Sequence, residues 1–307
     1  MRHLLRDDDL TPAEQAEVLD LALKLKAEPY AHKPLLGPRT VAMIFDKPTL
    51  RTQSSFAAGV AELGGHAMLV DGQLAGIGER ESIEDVARIV GRQASMIVWR
   101  TYDQSRIDTM AQYAGVPVVN ALTDQFHPCQ TLADLLTIRE YRGDPAGQTF
   151  TFVGDTDCNM GNSYLLAGAL AGMHVRVSGP QGYAPDPQVL ARAAQIGAET
   201  GGSAQFVADP VAAVSGADVV ATDTWVSMGK EEEAQARVAV FAPWQLNTEL
   251  LDHAKDDAIV LHCLPAYRGK EITAEVLDGP RAVIWDEAEN RRHAQKAVLT
   301  WLSERVR

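Results

Sequence analysis

Apolar residues along this chain come in short runs separated by segments of helical period. The runs fall at 40–45, 66–71, 96–100, 117–122, 149–154, 174–178, 204–208, 218–223, 258–263 and 282–286. Most are continuous, as in T-V-A-M-I-F at 40–45, and do not alternate with polar positions. A strand covered on both faces reads this way, which points to parallel sheets and the α/β class. Between the runs, L-T-P-A-E-Q at 10–15 predicts the first helix, with Thr11 as N-cap, Pro12 at N1 and Glu14 closing a capping box. Ser82 and Asp85 mark another helix over 82–93 at the same spacing.

The stretch Y-R-G-D-P-A-G-Q at 141–148 is punctuated by Gly and Pro, with four apolar runs before it and six after. It divides the chain into two α/β domains of similar size, 1–142 and 143–287. Each is expected to be a mainly parallel sheet flanked by helices. A last amphipathic helix, about 288–305, is expected to cross back onto the first domain, so that 288–307 belongs with it. A length of 307 residues suits two cores better than one.

Composition narrows the function. With 46% hydrophobic and 22% charged residues, the chain is an ordinary globular protein. Its formal net charge of −13 argues against nucleic acid or an anionic membrane as partner. Any bound anion must therefore meet a local cluster of arginines and backbone N–H groups. The opening M-R-H-L-L-R-D-D-D-L has no apolar signal core, and no run approaches a membrane span, so a cytoplasmic location is expected. Three widely spaced cysteines, Cys129, Cys158 and Cys263, suit a reducing compartment and exclude a C-x-x-C metal or redox site.

Several strand ends carry chemistry. After Phe45 the chain reads D-K-P-T-L-R-T-Q-S-S-F, a strand running into a helix start. Free N–H groups, the Thr49 and Thr52 hydroxyls and the Arg51 fork together make a phosphate cradle. The plain alternative is a capped helix with a surface arginine. Arg100 ends the run I-V-W-R, where open α/β sheets place ligands. In D-Q-F-H-P-C-Q, His127 is held extended by Pro128, and Gln130 starts the next helix. Either could polarise a carbonyl oxygen, although a lone loop histidine is more often simply solvated.

Later, V-G-D-T-D-C-N-M-G loosely resembles a dinucleotide loop but lacks the G-x-G-x-x-G glycines. In T-D-T-W-V-S-M-G, Asp223 suits an ammonium group. The K-E-E-E-A-Q-A-R run that follows reads as a solvated, mobile loop. Cys263 in L-H-C-L-P reads most simply as a small buried hydrophobe. Taken together, these stretches put an arginine-rich anion site in the first domain and a carboxylate, amide and thiol site in the second, facing each other across a cleft.

The strings H-P-C-Q (127–130), D-T-W-V-S-M-G (223–229), H-C-L-P (262–265) and D-E-A-E-N-R-R-H-A-Q-K-A (286–297) resemble those of ornithine carbamoyltransferases, of the aspartate/ornithine carbamoyltransferase superfamily, and look closest to actinobacterial forms. The likeness runs from Leu5 to the end. It implies transfer of the carbamoyl group of carbamoyl phosphate to L-ornithine, giving L-citrulline and phosphate in arginine biosynthesis, with no metal and no organic cofactor. By motif position it implies that Thr49, Leu50, Arg51 and Thr52 form the phosphate loop. Arg100, His127, Gln130 and Arg291 would contact carbamoyl phosphate. Asn159, Asp223, Ser227 and Met228 would hold the ornithine backbone, and Cys263 and Leu264 would lie beside the reacting amine and the carbamoyl group. Arg100, His127, Cys263 and Arg291 are the implied catalytic set. A homotrimer or a multiple of trimers is also implied, with ordering of the 227–240 loop on ornithine binding.

Two positions depart from the family pattern. The phosphate loop usually reads S-T-R-T-R, and here Gln53 replaces its last arginine while Ala57 replaces an acid that usually follows S-F. The two losses are those of one ion pair. In the stretch 72–82, Gly76 stands where the family usually has a Gln, and Gln73 lies three residues earlier. Weaker carbamoyl phosphate binding is the expectation. Alternatives are a carbamoyltransferase for another amine, such as putrescine, lysine or an acylated ornithine, or an impaired binding or regulatory paralogue. A nucleotide-dependent oxidoreductase is disfavoured by the missing glycine fingerprint.

Overall fold

The run Thr40–Phe45 is the first strand, β1, of a computed structural model that describes residues 1–226 and 234–305. The others are β2 (His66–Asp71), β3 (Met96–Arg100), β4 (Val118–Leu122), β5 (Thr149–Val153), β6 (His174–Ser178), β7 (Ser203–Phe206), β8 (Val219–Thr222) and β9 (Ile259–His262). They form two sheets, ordered β2-β1-β3-β4 and β7-β6-β5-β8-β9. Every strand pairing is parallel. The order reverses between β1 and β3 in the first sheet and between β5 and β8 in the second. Crevices for ligands open at such points, outside the carboxyl ends of the strands.

The chain divides into two units, residues 1–136 with 289–307, and residues 137–288. The first boundary lies before the 141–148 stretch, inside the helix Pro128–Arg142. In the first unit, Ala42, Ile44, Ile97, Trp99 and Val118 pack with Val86, Ile107 and Met110 of the helices Ile83–Gln93 and Gln104–Ala114. The alternate residues Val41, Met43 and Val98 are buried too, as a strand covered on both faces requires. In the second unit, Val153, Val220 and Val260 pack with Leu246, Leu250, Ile272, Val276 and Ile284.

The first helix, Pro12–Ala27, carries its capping box: the Glu14 N–H donates to Thr11 Oγ1 at 3.2 Å, and the Thr11 N–H to Glu14 Oε2 at 2.8 Å. The helix Ile83–Gln93 begins with the Asp85 N–H donating to Ser82 Oγ at 3.2 Å.

The last apolar run departs from expectation. Ala282 makes a single bridge to Val260, and the chain then turns directly into the helix Ile284–Ser303. Asp286 and Glu287 in the first turn favour this start through the helix dipole. From Glu289 onward this helix belongs to the first unit. There the Lys296 ammonium, fully buried, donates to Glu62 at 2.6 Å, and Trp301 Nε1 donates to Glu17 at 2.9 Å.

The helices Ile83–Gln93 and Gln104–Ala114 approach so closely that a Cβ at Gly91 would overlap the carbonyl oxygen of Ala114. Backbone cannot rotate away as a side chain can. Gly91→Ala should therefore lower unfolding stability by about 1–3 kcal/mol in urea titration, although Ala is the better helix former.

Candidate functional site

The first-unit cluster is built at the carboxyl ends of β1, β3 and β4. After Phe45 the chain crosses Asp46, Lys47, Pro48 and Thr49 to the helix Arg51–Glu62, whose N-cap is Leu50. Leu50 offers the helix no side-chain cap and is 77% exposed, so its backbone, not its side chain, serves the first turn. Behind this turn the Asp46 carboxylate occupies the space that a Cβ at Gly72 would fill. Thr101 Oγ1 donates to Asp46 Oδ2 at 2.6 Å, and Arg106 pairs with the same carboxylate at 3.4 Å. The Lys47 ammonium pairs with Asp124 and lies 4.6 Å from the centroid of the Tyr102 ring.

Thr52, in the first turn of that helix, is buried. Its Oγ1 accepts from Arg291 at 2.7 Å and from Arg100 at 3.3 Å. A hydroxyl that accepts from two guanidinium groups keeps its single proton for a third partner. Arg100 is the last residue of β3, opposite Phe45 of β1, and the β3–β4 register slips between Trp99 and Arg100. Arg291 comes from the last helix. His127 is buried beside these groups. Burial holds its imidazole well below the usual histidine range, and the fields of Arg291, Arg100 and Arg51 push the same way. The ring is therefore neutral and can present an N–H. Gln130, one helical turn on, donates to Asp134 Oδ1 at 2.8 Å. The structure thus gathers Arg51, Thr52, Arg100, His127 and Arg291 from four separate elements.

The second-unit cluster lies at the carboxyl ends of β5, β8 and β9. Asn159 opens the helix Asn159–Leu170. Asp223 follows β8. Burial raises its carboxyl above the usual aspartate range, opposed first by the field of His262 and then by hydrogen bonds from the Cys263 thiol and the Thr224 N–H, the latter at 2.7 Å. Cys263 and Leu264 follow β9, and Leu264 has φ 59°. The other two thiols differ: burial pushes Cys129 up to about 12 and raises Cys158 as well, so neither is a ready thiolate.

Asp223, His262 and Cys263 place one donor atom each within 4.8 Å of one another. Both His262 nitrogens are engaged, however. The Leu264 N–H donates to Nδ1 at 2.9 Å, and Nε2 faces Glu271 Oε1 at 3.3 Å. A metal would have to break one of these bonds, so the donor set fits hydrogen bonding better than metal ligation. Ser227 and Met228 lie outside the described residues.

The reading of K-E-E-E-A-Q-A-R as a solvated loop is corrected in its described part. Ala234–Phe241 is a helix. Its Arg237 is buried, paired with Asp155 and donating from Nε to the Trp225 carbonyl at 2.6 Å. Its guanidinium carbon sits 4.9 Å from the Tyr183 ring centroid. An arginine amid three glutamates and a glutamine gives no local sign of burial, and its partner lies far back in sequence. Asp46 and Gly72 give no local sign for the same reason, and no periodic pattern pairs His262 with Glu271, nine residues on. For Asp46, Gly72 and His262 the signal available was their place at or just after strand ends.

The comparisons with known proteins agree along the chain. Residues 2–140 match the aspartate/ornithine carbamoyltransferase carbamoyl-P binding domain, and residues 146–302 match the Asp/Orn binding domain of the same family. The ornithine carbamoyltransferase of Clavibacter michiganensis is 62% identical over 301 residues, 98% of each chain. That of Mycobacterium ulcerans is 54% identical over the full length of both. Among solved structures, the ornithine carbamoyltransferase of Pyrococcus furiosus aligns with a TM-score of 0.94 at 44% identity, covering 99% of this chain and 97% of that one. The chain belongs to the aspartate/ornithine carbamoyltransferase family.

Proposed function

We propose that this protein transfers the carbamoyl group of carbamoyl phosphate to the side-chain amine of L-ornithine, releasing L-citrulline and phosphate. The observation that carries the reading is the buried Thr52 hydroxyl between Arg100 and Arg291, with a neutral His127 alongside. Thr49, Leu50, Arg51 and Thr52 take the phosphate, and Arg100, His127, Gln130 and Arg291 complete the carbamoyl phosphate site. Asn159 and Asp223, with Ser227 and Met228, hold the ornithine backbone. Cys263 and Leu264 lie beside the amine and the carbamoyl group. The enzyme acts in the cytoplasm as a homotrimer or a multiple of it.

The chemistry follows from these groups. The ornithine side-chain amine has a solution pKa near that of lysine, ~10.4, and must lose its proton to attack. A cationic neighbourhood favours the free base. As the amine bonds to the carbamoyl carbon, negative charge grows on the carbonyl oxygen. Arg100, His127 and the Thr52 hydroxyl are the donors that meet it. The carbonyl then re-forms as the C–O bond to phosphate breaks, the surplus proton on the attacking nitrogen passes to the leaving phosphate oxygen, and the arginines stabilise the departing hydrogen phosphate dianion. No covalent intermediate is required, because holding both substrates in line supplies much of the acceleration.

A second reading, a paralogue with an impaired phosphate site, draws on Gly76. This residue has φ 65°, ends the short helix Gly72–Ala75, and contributes no amide side chain. Gln73 is engaged within its own chain, donating to the Tyr102 hydroxyl at 3.1 Å. Gln53 and Ala57 carry less weight. They stand one turn apart on the helix Arg51–Glu62, the spacing of an ion pair that is worth only about 0.3–0.5 kcal/mol.

Three outcomes are expected. In a colorimetric citrulline assay with carbamoyl phosphate, L-ornithine should give product, while putrescine, lysine, aspartate and N-acetylornithine should not. Silence in every well from folded protein would favour the second reading. The double variant Q53R/A57E should leave the KM for carbamoyl phosphate within about twofold, since the pair's worth is so small. His127 should also set a slope in stability against pH. Unfolding lets its imidazole take up a proton below about 6.5 that the folded chain refuses, so stability falls as pH drops through that value. In urea titrations from pH 8 to 5, His127→Gln should flatten this fall by up to one proton, about 1.4 kcal/mol per pH unit.

A further inference from the structure

The stretch 72–82 carries Gly72, Gly76 and Gly78, and its Leu74 is 85% exposed. Its one regular piece, the helix Gly72–Ala75, is a single turn. Glycines make such a segment costly in entropy to order. Side chains from outside the stretch hold it. Arg106, on the helix Gln104–Ala114, donates from Nη2 to the Ile77 carbonyl at 2.8 Å. Gln73 Nε2 donates to the Tyr102 hydroxyl at 3.1 Å, and that hydroxyl donates to the Asp46 carbonyl at 3.2 Å. Two glycines leave the room these groups take. A Cβ at Gly78 would come within 2.9 Å of Arg106 Nη1, and one at Gly72 would overlap Asp46 Oδ1.

The rest of the Arg106 fork faces the phosphate cradle. Its Nε donates to Thr101 Oγ1 at 2.9 Å, and its Nη2 also pairs with Asp46 Oδ2 at 3.4 Å. Asp46 is buried and stands at the root of the Thr49–Thr52 turn. Its backbone N–H donates to the Arg100 carbonyl at 2.9 Å. One carboxylate thus joins the 72–82 stretch, the phosphate turn and the strand end that carries Arg100.

We propose that Arg106 is a positioning residue for carbamoyl phosphate. By donating to Ile77, Thr101 and Asp46 at once, it braces the 72–82 stretch against Asp46, and Asp46 passes the constraint to Arg100 and the Thr49–Thr52 turn. A lysine has the charge but not the planar fork that reaches three acceptors. The inference rests on the carbamoyl-transfer reading.

Three variants approach the brace from different sides. Arg106→Met removes the fork and keeps a stem beside the Trp99 ring, which lies 5.3 Å from the guanidinium carbon. Arg106→Lys keeps the cation. Gly72→Ala, on the stretch itself, pushes the Asp46 carboxylate from its place and leaves Arg106 intact. In calorimetric titration the Met and Ala variants should bind carbamoyl phosphate about tenfold or more weaker. The Lys variant should be weakened as well. The ornithine KM should stay within about twofold in all three. Unchanged carbamoyl phosphate affinity in the folded Met or Ala variant would overturn the proposal. So would full affinity in the Lys variant, or a loss confined to kcat.

Hydrogen exchange on the unmodified protein covers failure of a variant to fold. The brace predicts slowed exchange across 72–82 without ligand, and open-chain rates there would overturn it. Unmodified protein that binds carbamoyl phosphate but forms no citrulline would fail the transfer reading and leave the brace standing.

Discussion

Two guanidinium groups that donate to one buried hydroxyl set the terms for the rest of this protein. Arg100 and Arg291 repel each other, and burial strips both of water. They are held close because Thr52 Oγ1 accepts from each, at 3.3 and 2.7 Å. That arrangement needs three elements at once: the end of β3, the first turn of the helix Arg51–Glu62, and the last helix of the chain. The packing of the last helix through Lys296, Glu62, Trp301 and Glu17 is thus more than stabilisation. It delivers Arg291 to the other end of the same helix. The neutrality of His127 follows from the same concentration of positive charge and from burial. A dianion is the ligand that would turn this repulsion into attraction, in a protein whose overall charge is −13.

The second unit solves a different problem. Its cluster holds a buried carboxyl, Asp223, near the Cys263 thiol, and in the turn after β9 the Leu264 N–H donates to His262 Nδ1 and the His262 N–H to Glu287. An ammonium group is the natural complement of a carboxyl whose ionised form is penalised by burial. The two units therefore divide the work by sign, with cations in the first and a carboxylate in the second.

Much of this was legible in the sequence because it is local. Continuous apolar runs announced parallel strands, and Thr11 with Glu14 announced the first helix down to its capping bonds. Of the residues proposed to bind carbamoyl phosphate, Arg100 ends β3 and the Thr49–Thr52 stretch follows β1, where an α/β sheet opens. Local signals also misled. The run 282–286 is as apolar as a strand, but two acidic residues make it a helix start. Arg237 sits in a string of charges yet is buried against Asp155, a partner that no window on the sequence contains. The same holds for Gly72, which yields its space to the Asp46 carboxylate. Pairings between distant elements are a property of the fold, and no periodicity encodes them.

The central claim is that the Thr52 hydroxyl, polarised by Arg100 and Arg291, is the seat of carbamoyl phosphate. Calorimetric titration of carbamoyl phosphate into the unmodified protein and into Thr52→Val and Thr52→Ser tests it directly. The account predicts measurable binding that weakens as salt rises, a loss of about tenfold or more in the Val variant from the missing charged-group hydrogen bonds, and near-full affinity in the Ser variant. Equal affinity in all three proteins would contradict it.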